Sequence, residues 1–257
     1  MQMKFYKYHG AGNDFIIIDD RNNSFPSINI ELINHLCDRR FGIGADGLML
    51  LQNENGFDFK MVYFNADGNE STMCGNGGRC IVHFANHLNI IQSKTKFIAI
   101  DGEHLAEIDR NIVDLKMIDV NSIDKLEKDF WLNTGSPHYI QFTSDLDNFD
   151  VFTNGKNIRN SSQFVEEGTN VNFVEKLKED TIKIRTYERG VEDETLACGT
   201  GVTAAAIVFG NENNQNHIKV KAVGGDLEVR FKKLDNKFTD VWLKGPAEMV
   251  FEGDINI

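Results

Sequence analysis

Short runs of apolar residues, separated by Gly, Asn and Asp, recur along the whole chain of 257 residues. Runs of this length, bounded by turn-forming residues, are typical of β-strands. Three stretches have apolar residues at helical spacing instead and predict helices: "INIELINHLCDRR" (28–40), "GGRCIVHFANHLN" (77–89) and "GVTAAAIVFGNE" (201–212). The mixture predicts an α/β (α+β) fold. The predicted strands are "KFYKYH", "FIIID", "LMLLQ", "FDFKMVYFN", "KFIAID", "HLAEID", "IVDLKMI", "HYIQF", "VNFVEKL", "TIKIRTYERG", "HIKVKAV", "DLEVRF", "TDVWL" and "AEMVF".

The chain contains an internal repeat. An offset of 124 places "ESTMCGNG" (70–77) over "ETLACGTG" (194–201), so that Cys74 matches Cys198. The same offset places "GADGLML" over "GTNVNFV", and an offset of 123 places "FKMVYFN" over "IKIRTYE". Because the three matches are collinear, we interpret the chain as two α/β domains of like topology that arose by duplication.

A polar segment, "DVNSIDKLEKD", predicts the boundary between these domains. The N-terminal domain would span 1–119 and carry the Cys74 loop. The C-terminal domain would span 120–257 and carry the Cys198 loop, with the last strand as a candidate to cross back to the N-terminal domain. Ligands commonly bind at domain interfaces, so we expect the active site in a cleft between the two domains.

Composition and charge narrow the classes of partner. The residues are 41% hydrophobic and 26% charged, which is typical of a globular protein, and the formal net charge is −12. Nucleic acids and anionic membranes require a concentrated basic surface, so neither is an expected partner. We find no secretory signal and no bilayer-spanning apolar run, and therefore expect a cytoplasmic protein. Four cysteines are too few for a disulfide scaffold and would stay reduced there.

Cys74 and Cys198 each follow a strand and a polar loop, and each stands just before a predicted helix. The unpaired N–H groups and the dipole at a helix start stabilise a thiolate and can hold a ligand carboxylate. Glycine beside the cysteine lets the backbone approach closely. The N–H groups predicted to hold the carboxylate belong to Gly75, Asn76, Gly199 and Thr200.

Several roles compete for these sulfurs. Free cysteine usually packs as a small apolar group, which is our interpretation of Cys37 and Cys80. Zinc is disfavoured because five residues separate the sulfurs of "CGNGGRC". A redox disulfide between Cys74 and Cys198 stays open. Because duplication predicts two thiols rather than one nucleophile, we favour racemisation or epimerisation, in which one thiolate removes a proton and the other thiol donates one.

Four segments together resemble one enzyme family: "HGAGNDFIIID", "FNADGNESTMCGNGGRC", "GSPHYI" and "YERGVEDETLACGTG". They are similar to the diaminopimelate epimerase family. Its members interconvert LL- and meso-2,6-diaminoheptanedioate, without pyridoxal phosphate or another cofactor and without a metal, in lysine and peptidoglycan precursor biosynthesis. The resemblance implies two pseudo-symmetric domains, each a sheet wrapped around a central helix, and it implies a homodimer with diaminopimelate as its small-molecule substrate.

The resemblance also implies roles for single residues. Cys74 and Cys198 match the catalytic pair, and Cys74 matches the base for the LL substrate, although the sequence alone does not assign the direction. His138 and Glu188 match residues that tune the thiol pKa values. The matched substrate contacts are Asn13, Asn65, Gly75, Asn76, Asn170, Glu188, Arg189, Gly199 and Thr200. Arg189 and Glu188 suit the carboxylate and the ammonium of the distal, non-reacting end of the substrate.

Two positions depart from the family pattern. Gly47 stands where relatives often have an amide side chain, and Ser136 where they have asparagine. Gly47 could offer only its backbone, whereas Ser136 could keep a hydrogen bond. The loop "GVEDETLACG" is slightly longer than in many relatives, which leaves the partner of Glu194 open.

Other functions remain as alternatives. Proline and hydroxyproline racemases of the same fold use a similar cysteine pair, but they do not need the distal-end recogniser "YERG". Phenazine-biosynthesis-type isomerases of this fold lack the cysteine pair. A non-catalytic binding protein for a dicarboxylic amino acid, with incidental thiols, is the third alternative.

Overall fold

The computed structural model describes residues 2–257, and four helices and eighteen strands lie among them. The mixed α/β fold confirms the prediction. The elements of the first half are β1 Gln2–Gly10, β2 Asn13–Asp19, α1 Ile30–Cys37, β3 Gly47–Gln52, β4 Lys60–Asn65, β5 Glu70–Ser71, α2 Gly75–His87, β6 Lys94–Ala99, β7 Gly102–Asp109 and β8 Ile112–Lys116. Those of the second half are β9 Asp124–Leu126, β10 Asp129–Asn133, β11 Pro137–Phe142, α3 Val151–Arg159, β12 Asn170–Lys178, β13 Thr181–Glu188, β14 Asp193–Thr195, α4 Gly199–Asn213, β15 His217–Ala222, β16 Gly225–Leu234, β17 Lys237–Pro246 and β18 Glu248–Asn256.

The chain divides into two compact units. The first runs up to Leu115 and includes Gly245–Ile257, and the second is Lys116–Lys244. Strand β18 belongs to the first unit, where it pairs antiparallel with β1 from Gln2 opposite Asn256 to His9 opposite Glu248.

In the first unit, β2 pairs antiparallel with β1 and parallel with β3. Strand β4 then pairs antiparallel with β3 and β5 and parallel with β6, and β6, β7 and β8 follow as an antiparallel series. Helix α2 packs against β1, β2, β3, β7 and β18. Its residues are buried from Gly75 through Val82, so this helix forms the centre of the unit.

The second unit repeats this topology. Strand β11 pairs antiparallel with β10 and parallel with β12, and β13 pairs antiparallel with β12 and β14 and parallel with β15. Strands β15, β16 and β17 follow as an antiparallel series. Helix α4 is buried without interruption from Gly201 to Gly210, as expected for a helix that is apolar all round. The predicted duplication is confirmed.

The strand registers correct one predicted offset. Phe15 pairs with Gly47, and His138 pairs with Asn170. Each member of the second pair lies 123 positions after its counterpart, whereas the sequence match placed "GADGLML" over "GTNVNFV" at 124. The reason lies before the strand: Gly44 and Gly168, both at positive φ, do match at 124, and the connection from that glycine to the strand is one residue shorter in the second unit.

This register gives the correspondence of side chains between the two units. Met49 and Tyr63 are paired across β3 and β4, and Asn172 and Thr186 are paired across β12 and β13. Phe15, Met49 and Tyr63 of the first unit therefore correspond to His138, Asn172 and Thr186 of the second.

The three predicted helices are confirmed, but the sequence pattern missed α3 and the strands β5, β9, β10 and β14. Helix α3 has only two buried residues, Val151 and Gly155, and therefore no strong apolar stripe. Gly155 is needed because a Cβ there would lie 2.4 Å from Cβ of Tyr187. Among the helices of residues 2–257 the longest is α4, with 15 residues, and none has the length and apolar character needed to cross a membrane.

Candidate active site

Both predicted catalytic cysteines occupy the N-cap position of the central helix of their unit. Cys74 precedes α2 with φ −90° and ψ 134°, and Cys198 precedes α4 with φ −103° and ψ 110°. The carbonyl of Cys74 accepts from the N–H of Gly78 at 2.7 Å, and that of Cys198 from the N–H of Val202 at 2.8 Å. The N–H groups of the first turn belong to residues before Gly78 and before Val202. They point out of the helix start, where the helix dipole favours an anion. The predicted helix starts are confirmed.

Asn13 joins the residues of the first unit's cysteine loop. The Cys74 thiol lies 3.7 Å from Oδ1 of Asn13, and Nδ2 of Asn76 donates to the same oxygen at 3.3 Å. Asn13 is itself held by Asp46, whose Oδ2 accepts from its Nδ2 at 2.6 Å. Three sequence-predicted site residues, Asn13, Cys74 and Asn76, therefore form one cluster beside Gly75.

Asn65 and Gly47 lie at the ends of neighbouring strands and are paired with each other. The side chain of Asn65 is exposed at the end of β4, while its backbone N–H donates to the carbonyl of Asn69 at 3.0 Å. A Cβ at Gly47 would lie 2.5 Å from the carbonyl oxygen of Phe64 and 2.6 Å from the Tyr63 ring. No side chain could occupy position 47 without moving these neighbours, so Gly47 presents its backbone alone.

Arg79 lies beneath the first turn of α2 and is fully buried. Its Nη1 donates to the carbonyl of Gly75 at 3.1 Å, its Nη2 to Oδ1 of Asn76 at 2.8 Å, and its Nε to the carbonyl of Pro246 at 3.4 Å. Burial lowers the pKa of Arg79, and Coulombic interactions with Cys80 and, after it, Cys74 oppose that shift. Arg79 was not among the residues predicted from the sequence, although an arginine four positions after Gly75 in "GNGGR" is a signal, since residues i and i+4 share a helix face.

The other two cysteines of the chain lie in the protein core. Cys37 and Cys80 are buried, as predicted, and all four cysteines of the chain are free thiols. Burial raises the pKa of Cys37 to about 11, and it raises that of Cys80 further. Neither is a thiolate near neutral pH, so neither is a candidate proton carrier.

Cys198 of the second unit is more buried than Cys74. Its sulfur lies 3.4 Å from Oγ1 of Thr200, two residues along the first turn of α4. The carbonyl of Thr200 accepts from the hydroxyl of Thr134 at 2.9 Å, which ties this turn to the end of β10. Cys198 and Thr200 thus lie together at the start of α4, beside Gly199.

His138 lies on β11 behind the start of α4. The ring is fully buried, and its Nδ1 is 3.2 Å from Nδ2 of Asn172. Burial, together with the positive charge of Arg189, lowers the pKa of His138 to about 3. The imidazole is therefore neutral at physiological pH. A Cβ at Gly201 would meet Cε1 of this ring at 3.3 Å and Cβ of Cys198 at 3.4 Å, which places His138 next to the cysteine loop.

Asn170 connects the start of β11 with the end of β13 through its hydrogen bonds. Its Nδ2 donates to Oγ of Ser136 at 2.8 Å and to the carbonyl of Pro137 at 3.0 Å, and its Oδ1 accepts from the backbone N–H of Arg189 at 2.9 Å. Ser136 therefore does keep a hydrogen bond. In this arrangement Asn170 offers a ligand only the remaining lone pair of its Oδ1.

Glu188 and Arg189 follow each other at the end of β13. The Thr195 hydroxyl donates to Oε2 of Glu188 at 2.9 Å, and Nη1 of Arg189 donates to the carbonyl of Glu167 at 2.8 Å. Glu194, whose partner the sequence left open, accepts two hydrogen bonds of 2.6 Å from the guanidinium of Arg185.

Within residues 2–257 no group of three or more His, Cys, Asp or Glu side chains has the arrangement of a metal site. The site residues instead supply thiols, helix-start N–H groups, amides and one Glu–Arg pair. Such a set can move protons at an acidic C–H bond and hold a carboxylate.

The sequence comparisons with known proteins agree on one family. The model of the family described as diaminopimelate epimerase matches residues 5–117 and 130–250. A diaminopimelate epimerase from Flavobacterium psychrophilum is 56% identical over 98% of this chain and 100% of its own length. One from Chlorobaculum tepidum is 43% identical over 96% of this chain and 99% of its own length. Among solved structures, a phenazine biosynthesis protein of the PhzF family from Bacillus anthracis is 11% identical, with a TM-score of 0.78 and full coverage of both chains, which shows a shared fold.

Proposed function

Because the chain belongs to the diaminopimelate epimerase family, we propose that it interconverts LL- and meso-2,6-diaminoheptanedioate by proton transfer at one α-carbon. The protein is an isomerase of the diaminopimelate route to lysine. The observation that carries the proposal is the pair of cysteines, Cys74 and Cys198, at equivalent N-caps of two duplicated units.

In the proposed mechanism the two thiols act on opposite faces of one carbon of the substrate. One cysteine, as thiolate, takes the α-proton, and the other, as thiol, donates a proton from the opposite face. The reverse reaction exchanges the two roles. The carboxylate on the reacting carbon binds the N–H groups at the two helix starts, which stabilise the negative charge that develops on it as the C–H bond breaks. These N–H groups belong to Gly75, Asn76, Gly199 and Thr200.

We assign the distal end of the substrate to the polar residues at the strand ends. Arg189 has five N–H donors, of which one already binds the Glu167 carbonyl, so several remain for a carboxylate. The Glu188 carboxylate beside it suits the distal ammonium. Asn65 and Asn170 complete the proposed contacts of this end. Asn13 lies within hydrogen-bonding reach of both Cys74 and Asn76, which supports a contact with the substrate beside the reacting carbon.

The experiment that tests this function is α-proton exchange. The reduced protein is incubated with LL-diaminopimelate in deuterated water, and deuterium at the α-carbons and the meso isomer are followed together. We expect one deuterium for each meso molecule formed in the initial phase. Ligand binding without exchange would favour the non-catalytic binding protein, and exchange of proline in a parallel sample would favour a racemase.

We also propose a cytoplasmic homodimer. The support for a dimer is strand β18, on which five consecutive residues, 248–252, are exposed. The apolar residues Met249, Val250 and Phe251 are among them, at 39%, 56% and 46% exposure. Contiguous exposed apolar residues of this kind mark association surfaces. Light scattering of the purified protein tests this, and a mass near the 29.1 kDa of one chain would contradict it.

A further inference from the structure

Asn172 and Thr186 form a buried hydrogen-bonded chain behind His138. The three residues lie on the neighbouring strands β11, β12 and β13, and none is more than 3% exposed. The Thr186 hydroxyl donates to Oδ1 of Asn172 at 2.9 Å. Nδ2 of Asn172 donates to the carbonyl of Tyr139 at 3.0 Å and lies 3.2 Å from Nδ1 of His138.

This chain determines which nitrogen of His138 carries the proton. The carbonyl of Tyr139 can only accept, so the NH₂ group of the Asn172 amide must face it. The same NH₂ group faces Nδ1 of His138, so Nδ1 must be the acceptor. The Thr186 hydroxyl on the amide oxygen stabilises this orientation of the amide. In a neutral ring the proton is therefore on Nε2.

The Nε2–H group has no hydrogen-bond partner among the described residues, although it is buried. A buried donor without a partner is destabilising, so such a group indicates a place for a ligand or a transient charge. The adjacent ring atom, Cε1, would lie 3.3 Å from a Cβ at Gly201, and the same Cβ would lie 3.4 Å from Cβ of Cys198. The unpartnered N–H is thus beside the cysteine loop of the second unit.

We propose that Asn172, supported by Thr186, is a positioning residue that holds His138 as the Nε2–H tautomer, so that the ring donates a hydrogen bond to the Cys198 thiolate whenever that thiolate forms. The inference rests on the proposed function, because that function requires Cys198 to lose its proton. No proton leaves the ring: the substrate proton goes to sulfur, and Nε2–H stays intact. A ring fixed as a neutral donor stabilises the thiolate without becoming an acid that competes with Cys198 as the proton carrier.

The tautomer is measured without substrate, by long-range ¹H–¹⁵N correlation NMR of the ¹⁵N-labelled protein. His138→Gln identifies the resonances of this ring among the seven histidines of the chain. We expect a pyridine-like Nδ1 and a pyrrole-like Nε2 that do not titrate between pH 5 and 8. In Asn172→Asp the new carboxylate can only accept, so Nδ1 should become pyrrole-like. A protonated Nδ1 in the unmodified protein, or an unprotonated Nδ1 in Asn172→Asp, would overturn the proposal.

The effect on the thiol is measured with a matched pair at position 186. Thr186→Val removes the hydroxyl with little change of shape, and Thr186→Ser keeps it. We expect alkylation of Cys198 by iodoacetamide at pH 7, followed by peptide mass spectrometry, to slow about threefold in Thr186→Val and to stay near the original rate in Thr186→Ser. Met49→Leu, at the place that corresponds to Asn172, is the control for a buried change elsewhere. Equal rates in the two Thr186 variants would contradict a positioning role.

A failure of this inference and a failure of the proposed function give different results. If the NMR and alkylation results hold and α-proton exchange is absent, the tautomer is correct and the proposed function is wrong. If exchange occurs with the expected isomer and Nδ1 is protonated, the function stands and the role of Asn172 falls.

Discussion

The two cysteine-bearing helices begin alike but rest on different side chains. Behind α2, a Cβ at Gly77 would meet Sδ of Met49 at 3.2 Å and the Phe15 ring at 3.5 Å. Behind α4, a Cβ at Gly201 would meet Oδ1 of Asn172 at 2.4 Å and the His138 ring at 3.3 Å. The first helix start therefore has an apolar support, and the second has a polar hydrogen-bonded one.

The first turns of the two helices differ the other way round, because the more polar group lies in α2. Arg79 of α2 donates to the carbonyl of Gly75, and Thr203 of α4, 124 positions later, donates to the carbonyl of Gly199 at 2.9 Å. The same backbone acceptor is satisfied by a buried permanent charge in one unit and by a neutral hydroxyl in the other. Duplication has kept the backbone and the thiols, whereas the electrostatic surroundings of each thiol have diverged. A nearly symmetric reaction does not require a symmetric site.

The largest expected effect comes from removing either thiol, which tests what the two units share. Cys74→Ala and Cys198→Ala should each lower the rate of epimerisation roughly 10²–10⁴-fold, because general acid–base catalysis contributes about that factor and neither face can act alone. The measurement is meso-isomer formation under reducing conditions, with Cys80→Ala as the matched control at a buried thiol outside the site. Full activity of either single variant would end the two-thiol mechanism.

The next largest expected effect comes from removing the buried positive charge of Arg79. In Arg79→Thr, which introduces the residue found at the corresponding place in α4, we expect alkylation of Cys74 at pH 7 to slow about tenfold, because the positive charge that favours its thiolate is lost. Arg79→Lys keeps the charge and should recover part of the rate. The rate at Cys198 serves as the internal control. If Arg79→Thr and Arg79→Lys react alike at Cys74, the charge does not matter.

A matched pair of glycine substitutions tests the two supports. Gly201→Ala forces a methyl group to within 2.4 Å of the fully bonded Asn172 amide, and should lower the free energy of unfolding by about 1–3 kcal/mol. Gly77→Ala meets the flexible Met49 side chain at 3.2 Å, and the better helix propensity of alanine offsets the crowding, so we expect a change below about 1 kcal/mol. Urea unfolding of the two variants gives both values. Equal losses would remove the contrast between the supports.

The smallest expected effect is a pH dependence of the free energy of unfolding that arises from His138, behind the start of α4. The pKa of His138 in the folded protein is about 3, below its ordinary value of 6.5, so protons bind preferentially to the unfolded chain. Its contribution to stability is complete above about pH 6.5 and is lost as the pH falls towards 3, by at most about 1.4 kcal/mol per pH unit. Urea unfolding at pH 7.5 and 5.5 should show a smaller drop in His138→Gln. An identical drop would mean that His138 does not titrate on unfolding.

Asp14 does not interfere with this measurement. Burial opposes the lowering of its pKa, but Arg39 and Lys7 outweigh that effect, so Asp14 loses its contribution to stability only below about pH 4.

Much of the fold follows from the sequence because its signals are local. The alternating strands and the two central helices have apolar patterns that only burial explains, and the cysteine–glycine pairs mark the helix starts. The register of β12 does not follow, because the sequence cannot show that the connection after Gly168 is one residue shorter than that after Gly44. Helix α3 was missed for a related reason: it is held by the close approach of Gly155 to Tyr187, a contact distant in sequence.

The candidate site divides in the same way. The thiols and the helix-start N–H groups were predicted from residue type and position, and the resemblance added Asn13 and His138. The residues behind them were not found, since the tasks of Arg79 and Asn172 depend on which carbonyls and rings the fold brings within 3.2 Å. A buried partner of this kind has no sequence signature beyond a polar residue in an apolar run.

The pairing of β18 with β1 has a consequence for the order in which the protein is made. During synthesis, residues 116–244 emerge before β18 does, so the second unit has its whole chain available while β1 still presents a row of unpaired backbone groups. An open strand of this kind invites non-native pairing with other chains. We therefore expect a released chain that is truncated after residue 244 to keep a folded second unit and to depend on chaperones for the first.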